Sequence, residues 1–161
     1  MQYADAREFF EAARDANADA RRCKRVLDQL EEIATRVSGN SFEVHARGGS
    51  KHDRLERAVI QCAEVEERLR FRMLADWQLI DRASEVLYGK GYDLGLYELV
   101  PHWWVDCVWF YYLAGWPWKD VAWHMGKKSK QSCIRAARCA LEAADAHGMI
   151  DAMEGRGFAE G

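Results

Sequence analysis

The most constraining feature of this sequence is a run of small and apolar residues recurring in steps of four and three from Tyr3 to Val37. Phe9, Ala13, Ala16, Ala20, Cys23, Leu27, Leu30, Ala34 and Val37 lie on that row, and charges fill most positions between them. Such a heptad seam, sustained over four repeats, demands one long helix and a partner to cover it. The alanines in its first half allow that partner to approach closely. A second row follows: Leu55, Val59, Cys62, Val65, Leu69, Met73, Trp77 and Ile80. Asp53 is read as its N-cap, and the helix reaches Ile80 or Leu87. The intervening stretch, residues 38–52, carries Gly39-Asn40 and Gly48-Gly49 and is expected to be a flexible loop. Two amphipathic helices joined by a loop predict an antiparallel hairpin over residues 1–88. A lone two-helix hairpin buries little, so it must pack on the remainder of the chain or on a second copy. A homodimer through the hairpin is therefore expected.

Only two prolines occur and alternating β-branched residues are nearly absent, so the class is all-α: a long antiparallel hairpin followed by a small helical domain at residues 96–148. The hydrophobic fraction of 49% suffices for a folded core in 161 residues. No apolar run approaches the length of a membrane span, and the start, MQYADAREFF, lacks the character of a signal peptide. The five cysteines (Cys23, Cys62, Cys107, Cys133, Cys139) are odd in number, form no C-x-x-C pair, and mostly fall on apolar faces. This reads as reduced thiols in a cytoplasmic protein.

The second half is dense in aromatics. Six tryptophans lie between Trp103 and Trp123. A small core can hold many indoles, but Trp103-Trp104 and Trp116 adjoin other tryptophans or turn residues, so not all can point inward. Part of this surface is therefore expected to dock the hairpin or a protein partner. Three helices are readable here. The first, Val100 to Leu113, ends at Ala114-Gly115. After the turn GWPW, the second runs from Trp118 to Met125, with Pro117 suited to its first turn. Gly126 ends it, and Ser129 caps a third helix reaching Ala146. Ala122, four positions before Gly126, gives the small residue that a close helix crossing needs. Gly148 is placed as a C-terminal cap, and residues 149–161 are read as a flexible tail.

The third helix has two chemistries. Cys133, Ala136, Ala137, Ala140, Leu141 and Ala144 form a small-residue packing stripe. From Gly126 to Leu141 there are five cations (Lys127, Lys128, Lys130, Arg135, Arg138) and no carboxylate, within a chain of net charge −3. Duplex DNA requires cations for phosphates and a helix whose N-terminal half offers donors to base edges. The competing interpretation is a solvated face on an ordinary helical domain.

The segment VWFYYLAGWPWKDVAWHMGKKSKQSCIRAARCAL resembles region 4 of bacterial sigma factors and the related helix-turn-helix of phage late-transcription regulators of the RinA and ArpU kind. The matching positions are Tyr112-Leu113, Gly115, Trp118, Val121-Ala122, Met125-Gly126, Ser129 and Ala140-Leu141. The turn Gly126-Lys127-Lys128-Ser129 is one residue longer than that pattern. A long helical hairpin ahead of such a module is also typical of small prophage proteins. The resemblance implies a transcriptional regulator binding double-stranded DNA, with residues 129–146 as recognition helix. Lys130, Gln131, Ser132 and Arg135 would face base edges, with Ile134 against a thymine methyl. Lys127, Lys128 and Arg138 would grip phosphates, and Ser129 would cap the helix. RNA polymerase is a further implied partner. The alternative is a helical adaptor or inhibitor, for example of RNA polymerase or a host factor, in which the module is only a scaffold. His45, His52, His102, His124 and His147 are scattered, with no metal-ligand spacing or catalytic constellation. Neither an enzyme nor a cofactor is expected.

Overall fold

The structure, a computed structural model, describes residues 3–40, 49–91, 94–126, 128–149 and 153, with the side chains of 37–40 and 49–52 left aside. Among the described residues there are helices and no strand: α1 (Ala6–Asn40), α2 (Gly49–Tyr88), a short 3₁₀ turn (Leu96–Glu98), α3 (His102–Val108) continued by a π-helical turn (Trp109–Leu113), α4 (Trp118–His124) and α5 (Lys130–Ala146). Two long helices followed by a small helical domain is the architecture that the two rows and the aromatic module predict. None of the described helices is long and apolar enough to cross a membrane.

Helix boundaries differ from expectation in several places. Asp5, immediately before α1, accepts a hydrogen bond from the Glu8 amide at 2.9 Å and so fixes the first turn. Asp53 caps nothing; it is an exposed residue inside α2, which already begins at Gly49. The expected loop shrinks accordingly: residues 38–40 and 49–52 are helical, and the rest of it, 41–48, lies outside the described residues. The expectation for Val37 as a seam side chain likewise lies outside them.

The chain divides into two compact units, Met1–Ala18 with Asp76–Gly161, and Asp19–Ala75. This is not the expected division at residues 88–96. Its cause is the first turns of α1 and the last turns of α2, which belong to the core of the small domain. Phe9, Phe10 and Ala13 from α1 and Ala83, Val86 and Leu87 from α2 are buried together with Val105, Val108, Val121 and the α5 stripe. Burying each such phenylalanine contributes about 1.5–3 kcal/mol. Two residues of the supposed tail are part of this core as well: Met149 and Met153 are buried, and Arg82 donates to the Met153 carbonyl at 3.3 Å. The remaining tail residues, 150–152 and 154–161, lie outside the described residues.

The Asp19–Ala75 unit consists of the facing stretches of α1 and α2. Arg72 forks onto the Asp19 carboxylate, with Nε at 2.7 Å. Ala20 and Cys23 are buried, while Leu27, Leu30, Leu55, Cys62, Leu69 and Met73 are half-buried. Three residues assigned to the second seam, Val59 and Val65 here and Trp77 beyond this unit, are instead exposed. One partner helix covers a narrower arc than that row occupies.

Candidate nucleic-acid interface

The platform for the basic strip is built by α3. Its C-terminal end widens into a π-turn in which the Ala114 amide donates to the Trp109 carbonyl at 2.9 Å. Phe110 stacks on Trp116 (4.6 Å between centroids) and Tyr111 on Trp118 (4.0 Å), so the turn grips the start of α4 by two ring pairs. The carbonyls left free at this end are met from α1. Arg14 donates to the Tyr111 carbonyl and, at 3.4 Å, to that of Trp116, while Asn17 donates to the Leu113 carbonyl. The Arg14 guanidinium also lies 3.8 Å from the Tyr111 ring centroid. A helix end thus receives its missing donors from the opposite end of the sequence.

α4 begins after Pro117, whose carbonyl accepts from the Asp120 and Val121 amides at 3.0 and 3.1 Å. Pro117 is therefore the cap itself, one position earlier than expected. Val121 and Ala122 are buried beneath α5 residues, and Gly126 turns the chain at φ +75°, where only a glycine sits without strain. Ser129 caps α5 as anticipated: its Oγ accepts from the Ser132 amide at 3.1 Å and donates to the Ser132 hydroxyl at 2.8 Å. Both serines are thus engaged in the cap, and Ser132 is half-buried.

From this cap onward, Lys130, Gln131 and Arg135 are exposed on one face of α5. Lys128 is exposed and places its ammonium 4.2 Å from the Trp103 ring centroid. That contact orients the cation at the cost of none of its charge. Lys127 lies outside the described residues. The positive end of the α5 dipole adds to the field of these cations.

The second half of the same face is different. Ile134, Arg138 and Leu141 line a groove of about 690 Å³ whose opposite wall is α1. Five carboxylates (Asp5, Glu11, Asp15, Glu142, Asp145) and three guanidiniums (Arg7, Arg14, Arg138) surround it. Asp145 additionally accepts from the Ala6 amide at 2.8 Å, tying the end of α5 to the start of α1. The face therefore changes sign along its length, and Arg138 sits at the change. Ile134 is half-buried on the groove wall, so its apolar side chain has a lining role beside any contact it makes outward. Of the nine expected residues, the structure brings Lys128, Lys130, Gln131 and Arg135 together as an exposed cluster at the cap formed by Ser129 and Ser132.

Sequence reasoning did not single out Trp123, which is 83% exposed in the last turn of α4. The excess of tryptophan signalled some such residue; its position in a seven-residue helix gave no means of choosing it. Nor were the acidic groove walls foreseeable, because half of them arrive from α1. Buried nearby, the Tyr112 hydroxyl is pushed up to about 12 by burial and then by Glu11.

No family model, no curated protein and no solved structure matches the chain.

Proposed function

We propose that the chain is a sequence-specific regulator of transcription that binds duplex DNA through α4, the Gly126 turn and α5 used as a helix-turn-helix. The observation that carries this reading is the exposed group Lys128, Lys130, Gln131 and Arg135 on the free N-terminal half of a serine-capped helix, with no carboxylate between Gly126 and Leu141. An N-terminal helix half in the major groove uses such side chains to reach base edges, with flanking cations on phosphates. The acidic groove further along α5 repels phosphate, which confines the duplex to the first two turns and sets Arg138 at its margin. Resemblance to sigma region 4 and to phage late-transcription regulators points the same way, and RNA polymerase is the protein partner it suggests.

The test is binding of the full chain to random duplex DNA and to upstream fragments of its own genome at several salt concentrations. Binding that weakens steeply with salt and prefers one fragment is expected. Arg135→Ala should then cost on the order of 1–3 kcal/mol on the preferred fragment only, whereas Lys128→Ala should weaken all fragments alike, as loss of a phosphate contact does. Absence of binding at low salt would reject the reading.

A second reading, a helical adaptor that docks on a protein such as RNA polymerase or a host factor, is favoured by Trp123. An indole 83% exposed beside the strip has the size and character of an interface anchor. Under that reading Trp123→Ala abolishes capture of the partner, and salt leaves it nearly unchanged.

A further inference from the structure

We infer that the outer face of α2 in the Asp19–Ala75 unit is a self-association surface on which α2 of a second copy packs antiparallel, centred on Glu67. This inference does not depend on the DNA reading. It starts from a deficit: in that unit Ala20 and Cys23 are the hydrophobic residues buried among those described, while Ile60 (57%), Phe71 (66%) and Leu74 (49%) are left in water. Helical pairs with so little covered surface take their stability from a further partner.

The arrangement of the exposed row indicates which partner. Ile60, Ala63, Glu67, Phe71 and Leu74 follow one another in steps of three, four, four and three, which places all five on one side of a helix turning 3.6 residues at a time. The row is symmetric about Glu67: Ile60 lies as far before it as Leu74 lies after, and Ala63 as far as Phe71. Charge is antisymmetric about the same point. Glu64 and Glu66 precede Glu67, and Arg68 and Arg70 follow it, all of them flanking the row. Glu66 and Arg70 lie on one flank, where they are 3.8 Å apart, and Glu64 and Arg68 on the other.

Under a two-fold axis through Glu67, an antiparallel copy sets Ile60 against Leu74 and the small Ala63 against the large Phe71. It also places Glu66 opposite Arg70 of the second copy on one flank and Glu64 opposite Arg68 on the other. Such an isologous patch is what a closed dimer uses. A parallel copy would set Glu66 beside Glu64 and Arg70 beside Arg68 of the second copy, with one opposite pair between them against two in the antiparallel arrangement. Glu67 meets its own copy on the axis, with Glu66 and Arg68 one residue away from theirs, and these like charges hold the association below what the apolar pairs alone would give.

The test uses the full chain in sedimentation equilibrium across the micromolar range, with helicity followed by circular dichroism. The wild type is expected to dimerise. Arg68→Glu with Arg70→Glu, and separately Glu64→Arg with Glu66→Arg, should each weaken self-association by about tenfold or more, through like charges now facing one another. Mixing the two reversed chains should restore dimers, now heterodimers. Glu67→Gln should tighten the wild-type dimer. A monomeric wild type, reversed chains that dimerise unchanged, or a mixture that stays monomeric overturns the proposal. Should a doubly reversed chain lose helicity, Glu67→Gln and Phe71→Ser decide it: association that neither tightens with the first nor weakens with the second overturns it.

Discussion

Cys107 shows how far a single side chain is governed by its surroundings. It is fully buried, and burial, together with the neighbouring Cys133 thiol, pushes its pKa up to about 12. An unperturbed thiol ionises near ~8.5. Between those two values the unfolded chain releases a proton that the folded chain retains, so the stability contributed by this group is complete below the lower value and is lost as pH rises. Two outcomes are expected. A thiol-alkylating reagent at mildly alkaline pH should label the half-buried Cys62 and Cys139 well before Cys107 and Cys133, as read by peptide mass spectrometry. The thermal midpoint should fall through the alkaline range, and less steeply in Cys107→Ala; equal labelling of all four thiols would contradict this placement. The core packing of Cys23, Cys107 and Cys133 was legible in the sequence because small apolar residues recur around them. The work of Arg14 and Asn17 was not. Their partners are main-chain carbonyls about a hundred positions away, and backbone acceptors leave no trace in side-chain periodicity.

Single elements were legible to the extent that local chemistry fixes them. The ends of α4 and α5 follow from Gly126 and Ser129, whose conformational and capping roles act within a turn of their own positions. Ser129→Ala removes both the acceptor for the Ser132 amide and the partner of its hydroxyl, and should cost about 1 kcal/mol in chemical denaturation. A variant as stable as the parent would show that the cap carries no weight. The same substitution should weaken DNA binding only modestly if bases are read by Lys130, Gln131 and Arg135. By contrast, Asp53 was a misleading cap signal: α2 already runs from Gly49, and Asp53 is carried along within it as an exposed residue. The π-turn at Trp109–Leu113 was also invisible, because it is selected by ring stacking with Trp116 and Trp118 and not by the propensity of its own residues.

At the scale of the whole molecule, the rows of apolar residues revealed two long helices and a small domain, but not where one compact unit stops and the other begins. Periodicity says which face of α1 is buried and nothing about what buries it. The answer changes along the helix: Phe9, Phe10 and Ala13 are covered by the small domain's core, and Cys23 lies in the other unit. Phe10→Ala should therefore destabilise the small domain by about 3–5 kcal/mol, although the substitution lies outside the segment that resembles a helix-turn-helix. Monitoring its tryptophan fluorescence during denaturation would read this directly, and an unchanged midpoint would place Phe10 outside that core.

The pairing of Ala6 with Asp145, together with that of Arg14 and Asn17 with the end of α3, also dictates an order of events during synthesis. α1 leaves the ribosome before α3, α4 and α5, so its most apolar turns at first face nothing. Phe9 and Phe10 are open to chaperones until those helices follow, and the small domain closes only once α5 has emerged. A core that joins α1 to α5 forms at a rate set by long-range closure and not by how quickly its helices form.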